Sequence, residues 1–332
     1  VWSYTLTAPR TFELLDLPAP ASADLAQGRV LLRTQVAGIC GSDLPAYLGR
    51  HSGRPEDVGW AGAELPGFPA HEIVGEVVAT ASPDLQVGDA VVGWATDSDA
   101  LSEFVMTEAC DLMVYTGLRP EVAIALQPLA CVLSAVDRLP AISGRTVAVL
   151  GQGPIGILFS YVLKAAGAAH VIGVDPIDRR PIAASFGVDE AVRATSDRWA
   201  AAIGRSEPRP SIVIEAVGHQ TATVSDALRA VANEGFVFAF GVNDQDFYPI
   251  SMTALFRKNL TLLSGMTIRR HAALEAAWRF HLSHPGLLER YVTNVLPVSE
   301  VEKAFGFAVS PAPDQLKVVL TADSKIQNEV TP

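Results

Sequence analysis

The residues with the most chemistry to offer fall into two groups, and the first is Gly151-Gln152-Gly153-Pro154-Ile155-Gly156 with Asp175 further on. An apolar run over 146–150 leads into these glycines, and an Ala-rich, helix-like stretch follows them. In that context each glycine has a task. Gly151 makes the tight turn, Gly153 lets the backbone approach a pyrophosphate, and Gly156 allows close helix-to-strand packing. Pro154 and Ile155 open the helix whose N-terminus faces the phosphates. Asp175 closes the next apolar run, where a carboxylate can accept both ribose hydroxyls of adenosine. It would repel a 2′-phosphate, which favours NAD(H) over NADP(H). Arg179 and Arg180 follow closely enough to soften that preference, and Arg180 is a candidate cofactor contact. Two plainer alternatives stand beside this one: glycines that only close a βα turn with Asp175 capping a helix beside Pro176, and a methyltransferase-like nucleotide fold.

The second group is scattered. Cys40 lies in Gly38-Ile39-Cys40-Gly41-Ser42-Asp43, His71 in Pro69-Ala70-His71-Glu72, and Gln127 and Cys131 in Leu126-Gln127-Pro128-Leu129-Ala130-Cys131. A soft thiolate with an imidazole suits zinc, and a catalytic zinc needs three protein ligands and an open position. The ordinary reading is a cysteine serving as a small core hydrophobe and a surface histidine, with Ser42-Asp43 a helix cap.

These groups need elements to position them. From Arg145 onward, short β-branched runs alternate with Ala-rich stretches, as when helices cross over between parallel strands. Strands are expected over 146–150, 171–174, 212–214, 236–240 and 260–263, with helices over 155–166, 182–186 and 221–231. That is a doubly wound parallel sheet of Rossmann type, spanning 129–264. Earlier, strands over 30–36, 72–78 and 90–92 are separated by turns such as Val87-Gly88-Asp89, which reads as an antiparallel, barrel-like domain. A helix over 271–281 and strands over 292–296 and 316–320 return to complete it, so the first domain comprises 1–128 and 265–332. The chemistry is expected in the cleft between the domains.

A chain of 332 residues exceeds what a single core supports, in keeping with two domains. With 36 acidic against 25 basic residues, a net charge of −11 repels nucleic-acid backbones and anionic lipid. The partner is therefore expected to be a small molecule rather than nucleic acid or membrane. No basic flank and apolar stretch follows Val1, and no segment stays apolar long enough to span a bilayer, so a cytoplasmic protein is expected. The cysteines, three in all and widely spaced, do not form a disulfide framework.

The order of the motifs resembles the zinc-dependent medium-chain dehydrogenase/reductase family, in particular its polyol, sugar and threonine dehydrogenase branch. Five segments carry the resemblance across nearly the whole chain: Gly-Ile-Cys-Gly-Ser-Asp, the His71–Val77 run, Val87-Gly88-Asp89, Gln127-Pro128-Leu129-Ala130 and the glycine loop. The resemblance implies a GroES-like catalytic domain with a Rossmann domain, and a homodimer or homotetramer. It implies Cys40 and His71 as zinc ligands, Glu72 as a carboxylate that ligates directly or through water, and Gln127 where the branch usually has Glu. A neutral amide there leaves the metal more positive and more weakly bound. Cys131 matches no family ligand position. By analogy Ser42 passes the substrate proton toward the nicotinamide ribose, and Asp43 hydrogen-bonds the non-ligating nitrogen of His71.

The same resemblance places Val217, Gly218, Gly241, Ser264, Gly265 and Met266 along the nicotinamide. It puts a basic residue at Lys317 near the pyrophosphate, although surface placement is the ordinary fate of a lysine. Pro45 stands where relatives have a relay histidine, leaving Tyr47, His51 or water to substitute. The stretch 94–108 lacks the four-cysteine lobe of structural zinc, so one zinc is expected, not two. The implied reaction is reversible oxidation of a secondary alcohol, on a polyol, sugar or aminocyclitol, with hydride passing to NAD. A metal-free reductase on the same fold and a non-catalytic NADH-binding protein remain the alternatives.

Overall fold

The computed structural model describes residues 1–21, 25–50, 65–203, 208–243 and 245–322. His51, the residues Arg54, Glu56, Asp57, Trp60 and Glu64 that follow it, expected from the sequence to form one wall of the cleft, and the tail from Asp323 lie outside the described residues. Two compact units emerge: Val1–Ala130 with Arg269–Pro311 and Gln315–Pro332, and Cys131–Ile268 with Ala312–Asp314. The cuts fall slightly later than 128/129 and 264/265. Ala312–Asp314 joins the second unit because the buried Arg179 donates from Nη1 to the Ala312 carbonyl at 3.0 Å and the Pro313 carbonyl at 3.1 Å.

Strands of the N-terminal part are β1 (Trp2–Ala8), β2 (Thr11–Asp16), β3 (Arg29–Gly38), β4 (Glu72–Thr80), β5 (Ala90–Trp94), β6 (Phe104–Glu108) and β7 (Leu112–Val114). The second unit follows with β8 (Thr146–Leu150), β9 (His170–Asp175), β10 (Glu190–Arg193), β11 (Ile212–Glu215), β12 (Phe236–Ala239) and β13 (Thr261–Ser264). The last two, β14 (Val292–Pro297) and β15 (Lys317–Thr321), belong again to the first unit. The helices are α1 (Leu44–Tyr47), α2 (Pro120–Ala123), α3 (Leu126–Val136), α4 (Pro154–Ala165), α5 (Arg180–Ala183) and α6 (Ser196–Ile203). After them come α7 (Thr223–Ala230), α8 (Met252–Arg257), α9 (Arg270–Ser283), α10 (Leu287–Tyr291) and α11 (Val301–Val309).

In the first unit the main sheet runs β14-β15-β3-β4-β5-β7, with β6 also paired to β3. All pairings are antiparallel except β14 with β15. The C-terminal return is driven by burial: Val318 and Leu320 join Val30, Leu32, Ile73 and Phe305 in one apolar core. Gly38, the last residue of β3, faces Glu72 at the start of β4 on one side and Val319 of β15 on the other. That register is what assembles the site described below.

The second unit is a parallel sheet ordered β10-β9-β8-β11-β12-β13. The chain leaves β8 in one direction through β9 and β10, then restarts at β11 on the other side of β8. The ends of β8 and β11 therefore flank the topological switch point, where open α/β sheets bind ligands. Residues Val147 to Leu150 are fully buried, as a central strand covered on both faces must be. Among the described residues no helix is long and apolar enough to cross a membrane.

Candidate metal and nucleotide sites

Antiparallel pairing of β3 with β4 sets the end of one strand beside the start of the other. The chain leaving β3 carries Cys40, and the chain entering β4 carries His71 and Glu72. One donor atom from each of Cys40, His71 and Glu72 lies within 4.8 Å of the others. Asp43, buried at the end of the short turn after Cys40, holds the arrangement together: its Oδ2 accepts from the Cys40 backbone N–H at 2.8 Å, and its Oδ1 lies 3.0 Å from His71 Nδ1. With Nδ1–H donating there, a neutral His71 would present its lone pair on Nε2. Burial disfavours a charged His71, but the Asp43 charge and hydrogen bond, with Cys40 beside it, outweigh that and raise its pKa well above the ordinary value.

Glu72 is fully buried, and neither carboxylate oxygen has a hydrogen-bond donor of ordinary geometry. Oε2 has the Lys317 ammonium beside it, whereas Oε1, with no hydrogen-bond partner among the described residues, is costly to bury, and beside a thiol and an imidazole it is a donor that a cation completes. The chemistry present therefore fits zinc. Gln127 is buried near the start of α3, and Ile124 just before it would lie 3.1 Å from a Cβ at Gly38. Cys131 is not in the cluster. Ser42 is half-buried between Cys40 and Asp43.

Two expectations change. Tyr47 does not stand in for the relay histidine, because its ring packs against Phe12 and Phe305 and its hydroxyl donates to the Glu302 carbonyl at 3.4 Å. Lys317 is not a surface lysine. It is buried, with Nζ 2.5 Å from Glu72 Oε2 and donating to the Ile39 carbonyl at 2.8 Å. A lone Lys at the head of an apolar strand is the only trace of this in the sequence.

In the second unit the glycine loop joins β8 to α4. Gly151 has φ +82°, and a Cβ there would touch Val217 Cγ2 at 3.0 Å. A Cβ on Gly156 would fall 1.8 Å from the Gly151 carbonyl oxygen. Gly153 differs. Its φ of −70° suits any residue, and a Cβ would meet nothing within 4 Å, so nothing in the described fold demands glycine.

Asp175 at the end of β9 accepts from the Gln152 N–H at 2.6 Å and the Ile177 N–H at 2.7 Å, fixing it to the loop. The buried Gln152 side chain donates to the Val149 carbonyl at 3.2 Å and accepts from Ser160 Oγ at 3.0 Å, filling the space over Gly173. Arg180 is exposed and paired with Asp178, whose pKa it pulls down to about 2 through its side-chain hydrogen bonds.

At the other side of the switch point, the buried Glu215 was not singled out by sequence. Its Oε1 accepts from the N–H groups of Val217 at 2.9 Å and Gly218 at 3.0 Å, and its carbonyl accepts from Gly241 N–H at 3.0 Å. One acidic residue ending an apolar strand thus ties together three of the residues expected along the nicotinamide. Arg138 donates to the Ser264 carbonyl at 2.8 Å, and a Cβ on the neighbouring Gly265 would meet Arg138 Nη1 at 2.6 Å. Met266 is mostly exposed.

Comparison with known proteins agrees with this architecture. Residues 154–283 match the family model for zinc-binding dehydrogenases, and residues 26–125 match that for the alcohol dehydrogenase GroES-like domain. Among curated proteins the chain is 27% identical to D-altritol 5-dehydrogenase of Agrobacterium fabrum, covering 93% of this chain and 96% of that protein. It is also 27% identical to sorbitol dehydrogenase of Bombyx mori, covering 89% of this chain and 92% of that one. Among solved structures, an alcohol dehydrogenase from Thermus sp. ATN1 superposes with a TM-score of 0.82 at 26% identity, covering 97% of this chain and all of that one. The chain belongs to the zinc-type medium-chain alcohol dehydrogenase family, with a GroES-like domain and a Rossmann domain.

Proposed function

We propose that this protein reversibly oxidises a secondary alcohol of a polyol or sugar with NAD, using one catalytic zinc. The observation that carries the reading is the meeting of Cys40, His71 and Glu72 around the Asp43 brace. Cys40, His71 and an oxygen from Glu72 or Gln127 would hold the zinc, which would supply Lewis acidity to the alcohol oxygen, with NAD as the hydride acceptor. Asp43 keeps the imidazole and the cysteine backbone in place. Ser42, between them in sequence, would hand the hydroxyl proton toward the nicotinamide ribose.

Cofactor binding is assigned to the glycine loop. Gly153 needs no glycine for its own fold, so close approach of a pyrophosphate is the remaining reason for one. Asp175 would hold the adenosine ribose and repel a 2′-phosphate. Both nearby arginines are already committed, Arg179 to the Ala312 and Pro313 carbonyls and Arg180 to Asp178, so neither is spare to welcome that phosphate. The polyol or sugar assignment is favoured by the altritol and sorbitol dehydrogenases among the relatives. A single zinc is favoured by the lack of cysteine over 94–108, where Arg270 pairs with Asp111 at 2.5 Å and lies over the Trp94 ring at 5.2 Å.

The test is elemental analysis of protein purified without chelator, alongside turnover of a polyol, sugar and aminocyclitol panel with NAD and NADP. One zinc per chain and faster turnover with NAD are expected. Active protein with substoichiometric zinc would overturn the metal assignment in favour of a metal-free reductase, and preference for NADP would overturn the role given to Asp175.

A further inference from the structure

A fully buried lysine is expensive unless its charge is answered, and the reaction proposed above gives Lys317 no task. Its surroundings do. On the adjacent strands β15, β3 and β4, Gly38 pairs with Glu72 on one side and on the other with Val319, two residues after Lys317. Gly38 leaves the room: a Cβ there would fall 2.2 Å from Glu72 Oε2, so only glycine lets the carboxylate lie across β3. Lys317 reaches the same oxygen from the other side, with Nζ 2.5 Å from Oε2, and its second partner is the carbonyl of Ile39, the residue before Cys40. Oε2 is therefore confined between Gly38 and an ammonium, whereas Oε1 is buried with no hydrogen-bond partner among the described residues.

We propose that Lys317 sets how Glu72 serves the metal: it occupies Oε2 and balances the carboxylate charge, leaving Oε1 as a single, weak and displaceable oxygen donor. This rests on the zinc reading given above. A carboxylate whose charge is answered by an ammonium gives a cation less than a free one does. With a neutral amide at Gln127, Cys40 is then the one uncompensated anion of the set, and the metal keeps much of its positive charge for the substrate oxygen. Lys317 is a positioning residue in this reading, acting on the metal through Glu72.

The experiment is Co²⁺ binding to metal-free protein, with affinity read by chelator competition and coordination read from the intensity of the visible d–d bands. In K317M, Glu72 is free to offer both oxygens and its full charge. Affinity should rise about ten-fold, and the bands should weaken as the coordination number rises. Placed in an E72Q background, the same substitution should change neither, which makes a double-mutant cycle of the pair. A purely structural lysine would lower the melting temperature and leave affinity and bands unmoved, and that result overturns the proposal. An equal effect of K317M with and without Glu72 overturns it too. Should K317M fail to fold, G38A displaces Oε2 with both charges retained; altered bands are then expected, and unaltered bands overturn the proposal. Wild-type protein that binds no cobalt would instead sink the zinc reading itself.

Discussion

The nucleotide site is built from consecutive residues, 151–156, that need little beyond their own backbone, while the metal site takes Cys40 and His71 from the facing ends of β3 and β4. In the first, a missing Cβ is the working part: Gly151 for its positive φ, Gly156 for close packing and Gly153 for open space. In the second, side chains do the work and the sheet register decides whether they meet. A site made locally is insensitive to how distant strands pair, whereas a one-residue slip of β3 against β4 would send Glu72 to the other face and dissolve the cluster.

If the two sites are built as separately as this, they can be broken separately. The largest effect is expected from Cys40→Ser. Lewis-acid assistance is worth several kcal/mol, so turnover should fall about a thousand-fold, with NADH affinity unchanged by fluorescence titration. Lost NADH binding would show that the two sites are not independent. The converse is Gly156→Ala, whose methyl would fall on the Gly151 carbonyl. Overpacking of that kind costs about 1–3 kcal/mol; NADH affinity should drop with it while bound zinc stays at the wild-type amount, and zinc lost in parallel would count against local construction.

The smallest expected effect sharpens the contrast by pH. Burial first, then the Asp97 charge, raise the pKa of Asp99 in the GroES-like unit to about 7. The folded protein then binds a proton there that the unfolded chain has released, so stability falls as pH rises from the ordinary carboxylate range to about 7, and stays lower above it. Asp99→Asn removes that penalty. Its melting temperature should match wild type near pH 4 and exceed it by a few degrees near pH 8; an offset that ignores pH would refute the assignment.

How much of this was legible follows the same division. The strands at 146–150 and 212–214 and the helix after the glycines are visible because apolar runs bounded by glycine announce buried parallel strands. β6 and β7 went unseen: β6 keeps Thr107 buried through bonds to the Trp94 carbonyl and Thr96 Oγ1, which spoils any apolar alternation, and β7 is too short to show one. The edge strand β10 and the helix α8 were missed because four and six residues are too few to show a period, and α8 leaves its apolar Met252 and Phe256 exposed. Cys40 and His71 were found through the order of motifs, not through spacing. Glu215 and Lys317 were beyond pattern reading, because a charge buried at a strand end is explained only by the partner that the fold supplies.

The brace at Asp43 carries one more consequence. Because one carboxylate grips both the Cys40 backbone and the His71 ring, the two donors are fixed relative to each other by hydrogen bonds that require no metal. The entropy of gathering them is spent when the chain folds, not when the ion arrives. Stripping the metal should therefore leave a shaped receptacle rather than a loosened loop, one that exchanges its ion as a rigid chelator does, without refolding.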